Sequence, residues 1–140
     1  MKRILVAIDG SECAQRAAAM AADLGSRLSA SVTLAYAVPP PSALGEPAMV
    51  DLASIDQAQV DQAQALLEKT AAAVGRPGTT IATMILHGPA PEALNEAADK
   101  LSVDLIVVGS RGRNALTRAI LGSISHALIQ TSKKPVLVVH

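Results

Sequence analysis

One stretch near the C-terminal end of the chain limits the possible folds most strongly. Residues 105–108 are an apolar run that leads into Gly109; Gly112 follows three residues later, and Gly122 with Ser123 opens an amphipathic segment. Glycine lets the backbone turn and lets an anion approach main-chain amides, while a Ser at a helix start leaves donors pointing outward. The spacing Gly-x2-Gly-x9-Gly-Ser therefore predicts a phosphate-binding loop between a buried strand and the amino end of a helix.

Two common phosphate loops are excluded by the residues present. No Gly-Lys-Ser/Thr closes a six-residue loop, which excludes a Walker A motif, and no Gly-x-Gly-x-x-Gly follows a strand-like segment, which excludes the usual dinucleotide fingerprint. On the residues alone, a second interpretation stays open, in which the glycines only turn the chain.

The rest of the chain alternates between strand-like and helix-like segments. Apolar, β-branched runs predict strands, and apolar residues at a spacing of three and four predict helices. The predicted strands are residues 3–8, 31–38, 79–86, 103–108 and 136–139. The first predicted helix follows a capping Ser11 and ends at Leu28, and the second spans 52–74. The third contains Leu94, Ala97 and Leu101, and the fourth spans 123–131. This alternation predicts an α/β fold with a parallel sheet and helices on both faces.

Such a sheet also predicts where a ligand binds. Ligands of open parallel sheets lie beyond the carboxyl ends of the strands, where the winding direction reverses, so Asp9 and Gly109 should meet there. A long connection, residues 39–54, follows the second strand; it is either a plain crossover or a lid over the ligand.

Composition excludes several function classes. Twelve basic and twelve acidic residues balance, and Tyr36 is the only aromatic residue, so neither a basic field nor stacking platforms are present for nucleic acid. No apolar run approaches the ~18 to 20 residues that span a bilayer. Cys13 is alone and cannot form an internal disulfide. We therefore expect one cytoplasmic domain, residues 1–140, that binds neither nucleic acid nor membrane.

These segments together resemble the ATP-binding branch of the universal stress protein family. The resemblance rests on residues 4–9, 87–94 and 134–139 and on the motif from Gly109 to Ser123. Many members have a small residue after the basic position that follows the second glycine, where this chain has Arg113-Asn114. The resemblance implies a Rossmann-like single domain related to the adenine nucleotide alpha hydrolases, with five parallel strands in the order 3-2-1-4-5.

The resemblance also implies a site, position by position. Asp9 is similar to the carboxylate that reaches the ribose or a bound Mg²⁺ or Mn²⁺, and Ala7 and Ala37 to the positions that frame the adenine. The residues similar to the phosphate cradle are Gly109, Gly112, Gly122, Ser123, Ile124 and Ser125. From the residues alone, Asp9 could instead belong to a turn and cap, and Arg111 and Arg113 are either phosphate clamps or solvated charges.

The functional expectation is an ATP-binding regulatory or stress-response protein. The sequence has no recognisable Ser-His-Asp arrangement, metal-ligand cluster or positioned base, so it predicts binding with little or no turnover. The alternatives are a slow ATPase or adenylate-forming enzyme, and a nucleotide-free homodimeric adaptor. Residues 135–140 form an uncharged, β-forming run that the implied strand order places at the sheet edge, which predicts a homodimer through this strand.

Overall fold

Strands and helices alternate along the chain in a computed structural model that describes residues 1–40, 52–112 and 120–140. The order of elements is β1 (Arg3–Ala7), α1 (Glu12–Leu28), β2 (Ser31–Val38), α2 (Leu52–Val74), β3 (Ile81–His87), α3 (Ala90–Lys100), β4 (Leu105–Gly109), α4 (Ser123–Thr131) and β5 (Val136–Val139). Residues 41–51 of the predicted lid or crossover, and Arg113, lie outside the described residues.

The five strands form one parallel sheet in the order β3-β2-β1-β4-β5. Leu5 of β1 pairs with Ile106 of β4 on one side and with Thr33 of β2 on the other, so the chain reverses its winding direction between β1 and β4. The predicted fold class and strand order are therefore confirmed. The carboxyl ends of β1 and β4 lie side by side, as a ligand site of this fold requires.

Helices cover both faces of the sheet because each strand is apolar on both sides. Ile4 and Val6 pack under α1 and α2, whereas Leu5 and Ile106 pack under α3 and α4, and all four side chains are fully buried. The chain has no Phe or Trp, and α1 meets the sheet with small residues: Ala17, Ala18, Ala21 and Ala22. Small side chains bring the helix axis close to the sheet, which lets a core of aliphatic residues pack densely.

Two strands begin later than the sequence predicts. Before β4, Asp104 Oδ2 accepts hydrogen bonds from the main-chain N–H groups of Lys2 and Arg3, at 2.7 and 2.9 Å, and Val103 N–H donates to Ala98 O at the end of α3. Before β3, Thr79 N–H donates to Arg76 O. Val103 and Thr79 are therefore part of turns held by local main-chain hydrogen bonds, whereas Asp104 is bonded to distant residues.

Candidate functional site

A cleft opens where the carboxyl ends of β1 and β4 meet the amino end of α4. It is lined by residues from six elements and the loops between them. The lining residues are Ala7, Ile8, Asp9, Ser11, Ala14, Ala35, Ala37, Leu94, Val108, Gly109, Arg111, Gly112, Gly122, Ser123, Ile124 and Ser125.

The amino end of α4 forms one wall of the cleft. Gly122 is the N-cap, with extended angles (φ −63°, ψ 159°), and no side chain caps the helix. The first amides of a helix have no partner within it and carry the positive end of the helix dipole. A nine-residue helix with an uncapped amino end facing a cleft can therefore donate hydrogen bonds to an anion.

Gly122 lies close to the loop that follows β4. Its N–H donates to Ser110 O at 2.7 Å, and a Cβ on Gly122 would stand 3.3 Å from both Ser110 O and the Cα of Arg111. Ser125 Oγ lies 3.2 Å from the same Ser110 oxygen and 2.9 Å from Gly122 O. Two hydrogen bonds thus fix the start of α4 against the glycine loop, and glycine makes the close approach possible.

At Gly109, a glycine is required for a different reason, which is its contact with α1. A Cβ at this position would stand 2.8 Å from the main chain of Cys13 and from the nitrogen of Ala14, inside α1. The amino end of α1 therefore packs directly on the last residue of β4. Gly109 lines the cleft, but the approach that demands glycine here is that of a helix and not that of a ligand.

The two carboxylate oxygens of Asp9 have different surroundings. Its Oδ1 accepts the Ser11 N–H at 2.8 Å, which is the hydrogen bond of an Asx turn. Its Oδ2 lies 3.1 Å from the point where a Cβ on Gly112 would stand, so it faces the glycine loop across the cleft. One oxygen holds the turn, and the other faces the glycine loop at the cleft.

Ser11 joins the loops that follow β1 and β4. Its Oγ caps α1 by accepting the Ala14 N–H at 3.1 Å, and it donates to Arg111 O at 3.3 Å. The bond to Arg111 spans 100 positions of sequence, so the two loops hold each other in place at the mouth of the cleft.

Cys13 lies buried behind the glycine loop. Its Sγ is 3.2 Å from Arg16 Nη2, 3.8 Å from Ser110 Oγ and 3.9 Å from Arg111 Nη2. Burial acts to raise the pKa of the thiol, but the hydrogen bonds from Ser110, Arg111 and Arg16 outweigh it and bring the pKa below its ordinary value of 9.0. The guanidinium of Arg111 thus lies within reach of Cys13 at the back of the loop.

The inner end of the cleft is apolar. Ala7, Ala35 and Ala37 come from β1 and β2, and Leu94 and Val108 from α3 and β4. Ala35 and Ala37 share one face of β2 because side chains alternate along a strand. This small apolar surface can accept a flat hydrophobic group next to exposed strand ends.

The structure brings ten of the eleven sequence-predicted site residues together around this cleft, and Arg113 lies outside the described residues. Sequence reasoning missed six lining residues: Ile8, Ser11, Ala14, Ala35, Leu94 and Val108. Period-two alternation in β2 could have found Ala35 from Ala37. Within the described ranges, no three His, Cys, Asp or Glu side chains come together as a metal-binding group.

The sequence model of the universal stress protein family matches residues 1–140. This chain belongs to the universal stress protein family. Universal stress protein YxiE of Bacillus subtilis is 35% identical over 152 residues, which cover 98% of this chain and 97% of the relative.

Solved universal stress proteins share the fold. The UspA protein of Lactobacillus plantarum has a TM-score of 0.84 at 23% identity, covering 99% of this chain and 97% of that one. A universal stress protein solved in complex with cAMP has a TM-score of 0.75 at 28% identity, covering 99% and 97% of the two chains. Among the described residues of this chain, no helix has the length and apolar character to cross a membrane.

Proposed function

We propose that this universal stress protein binds an adenine nucleotide, ATP, in the cleft between β1, β4 and α4. One observation carries the proposal: an uncapped helix start and a glycine loop, which suit phosphates, adjoin a small apolar surface, which suits a base. The cAMP complex of a universal stress protein of the same fold supports an adenine ligand.

Each part of the nucleotide has a matching surface. The amides of Gly112, Ser123 and Ile124 would hold phosphate oxygens, and Ala7 and Ala37 would frame the adenine. Asp9 Oδ2 would reach the ribose or a divalent cation. Mg²⁺ in nucleotide sites is held by one or two carboxylates together with phosphates, so a single carboxylate lining the cleft fits Mg²⁺ or Mn²⁺ bound mainly by the nucleotide.

The same lining residues favour binding over turnover. Asp9 is the only acid among those that the structure describes, and one of its oxygens is already bonded to Ser11. Phosphoryl transfer to water needs a group that orients the water in line with the leaving phosphate, in addition to charge stabilisation. We therefore propose a regulatory role, with ATP hydrolysis slow at most.

The test is a calorimetric titration of ATP and of adenosine into wild type and Gly122→Val. Wild type should bind ATP more tightly than adenosine, since adenosine lacks the groups that the amides hold. Gly122→Val should lose most ATP affinity, because its side chain displaces the backbone of residues 110–112 that a phosphate must approach. The matched control is Gly75→Val at the end of α2, where the nearest atom to an added Cβ lies at 3.5 Å. Undiminished ATP affinity in a folded Gly122→Val protein would overturn the assignment.

A second proposal concerns the partner, which we take to be another copy of the chain. β5 is an edge strand whose four residues are half-buried and uncharged. Met20 and Ile129, 45% and 50% exposed, flank it on opposite faces of the sheet. Met20 lies one turn beyond Arg16, whose Nε donates to His140 O at 2.7 Å, which places both on the β5 side of α1.

Ile129 lies on the outer side of α4. Thr131, two residues later, accepts from Asn95 of α3 at 2.9 Å, so its side chain faces α3. Two residues along a helix turn the side chain through about 200°, so Ile129 points away from α3, beyond the sheet edge.

We call β5, Met20 and Ile129 the edge patch. An uncharged edge strand with apolar neighbours is normally covered, and pairing about a two-fold axis covers it with its own copy.

A further inference from the structure

One buried residue connects the cleft to the edge patch. Ser110, 2% exposed, donates its N–H to Val139 O of β5 at 2.7 Å. Its carbonyl accepts the Gly122 N–H at 2.7 Å and lies 3.2 Å from Ser125 Oγ, at the start of α4. The same peptide segment therefore fixes the end of the edge strand and the helix start that would hold phosphate.

A second connection runs through α1. Arg16 donates from Nε to His140 O and from Nη2 to Cys13 Sγ, at 2.7 and 3.2 Å. Cys13 in turn packs against Gly109 so closely that a Cβ there would stand 2.8 Å away. The residue after β5 is thus held by the helix turn that backs the glycine loop.

The phosphate-binding helix is itself part of the edge patch. α4 is nine residues long, begins at the cleft with Ser123 and carries Ile129 in its second half. A short helix moves as one body, because its hydrogen bonds link every turn. A partner that covers Ile129 therefore contacts the element whose amino end faces the ligand.

We infer that nucleotide binding and self-association are positively coupled in this chain. The inference rests on the proposed nucleotide site and adds its regulation. Phosphate held by the amides of Gly112 and Ser123 fixes the residues on either side of the Ser110–Gly122 hydrogen bond, and with them the end of β5. When two binding events order the same segment, the first removes part of the cost of the second. By linkage the effect is reciprocal, so the dimer binds nucleotide more tightly than the monomer does.

The first experiment measures the dimer dissociation constant by sedimentation, with and without a saturating concentration of the β,γ-imido analogue of ATP, which resists hydrolysis. We expect the analogue to tighten the dimer about fivefold or more, the lower end of ordinary coupling between sites. Leu28→Lys is the matched control: it replaces a similarly exposed apolar residue, 48% exposed, at the far end of α1, and should keep the wild-type response.

The second experiment measures the reciprocal effect. Ile129→Lys should be monomeric and should bind the analogue more weakly than dimeric wild type, by the square root of the factor measured in the first experiment, because each dimer has two nucleotide sites. Val138→Lys, in the edge strand itself, provides a second monomer if the first variant fails to fold.

The outcomes separate the inference from the proposal beneath it. A dimer whose constant is the same with and without bound analogue overturns the coupling and leaves the nucleotide site standing. A wild type that binds the analogue but stays monomeric with and without it also overturns the coupling and leaves the nucleotide site standing. A wild type that binds no analogue overturns both.

Discussion

Three glycines of the motif each lie against a different neighbour. An added Cβ would be close to α1 at Gly109, to the backbone of residues 110–111 at Gly122, and to Asp9 Oδ2 at Gly112. The sequence predicted that glycine matters at these positions, because a loop after a buried strand needs small residues. It could not predict the neighbour in each case, since α1 lies about 100 residues earlier in the chain.

Asp9 gives the sharpest test at the residue scale. Asp9→Ala removes the carboxylate and should lower ATP affinity by about tenfold, consistent with a hydrogen bond to a charged group. It also removes the bond to Ser11, which should cost about 1 kcal/mol of unfolding free energy. Asp9→Asn is the control, because its amide oxygen can still accept from Ser11 while its charge is lost. Calorimetry and thermal denaturation measure the two effects. Unchanged affinity in Asp9→Ala with a lower melting temperature would assign Asp9 to the turn alone.

At the scale of elements, the sequence predicted the bounds of four elements that the structure confirms. β2, α2, α4 and β5 occupy residues 31–38, 52–74, 123–131 and 136–139. Prolines after β2 and Gly75 after α2 stop these elements locally, so neighbouring residues suffice to predict their ends. The start of β3 differs because Thr79 closes a turn with Arg76, and the start of β4 differs because Asp104 accepts hydrogen bonds from the distant residues Lys2 and Arg3.

Asp104 predicts a pH dependence of stability. The N–H groups of Lys2 and Arg3 favour its charged form and hold the pKa of the carboxyl below its ordinary value of 3.8. A carboxyl whose pKa falls on folding stabilises the fold above its unfolded-state pKa, and this contribution is lost as pH falls through the folded-state pKa. Asp104→Asn should therefore lower the melting temperature at pH 7 and differ less from wild type as pH falls below 3.8. A difference that stays constant from neutral to acidic pH would contradict this account.

At the scale of the whole molecule, the strand order marks the limit of sequence reasoning. All five strands are apolar, and alternation with helices predicts that they are parallel but not which strands are neighbours. Only the family resemblance supplied the order, and the structure confirms it. The cleft follows from that order, since Asp9 and Gly112 face each other only because β1 and β4 are adjacent.

The edge patch predicts a homodimer. Val138→Lys should produce monomers, because its charge would lie near its symmetry mate in an antiparallel pair of β5 strands. Sedimentation at tens of micromolar measures the change. A wild type that is monomeric in both the absence and the presence of nucleotide would contradict the prediction, and so would a Val138→Lys protein that dimerises as wild type does.

The most direct test of the nucleotide site is the amide spectrum of ¹⁵N-labelled protein during titration with ATP. Gly112, Ser123 and Ile124 line the cleft, and their amides are the ones that would bind phosphate. If they bind phosphate, their signals should shift most, and adenosine should leave them nearly unchanged while still shifting Ala7 and Ala37. A spectrum that does not change at millimolar ATP, or changes only at residues outside the cleft, would contradict the proposal.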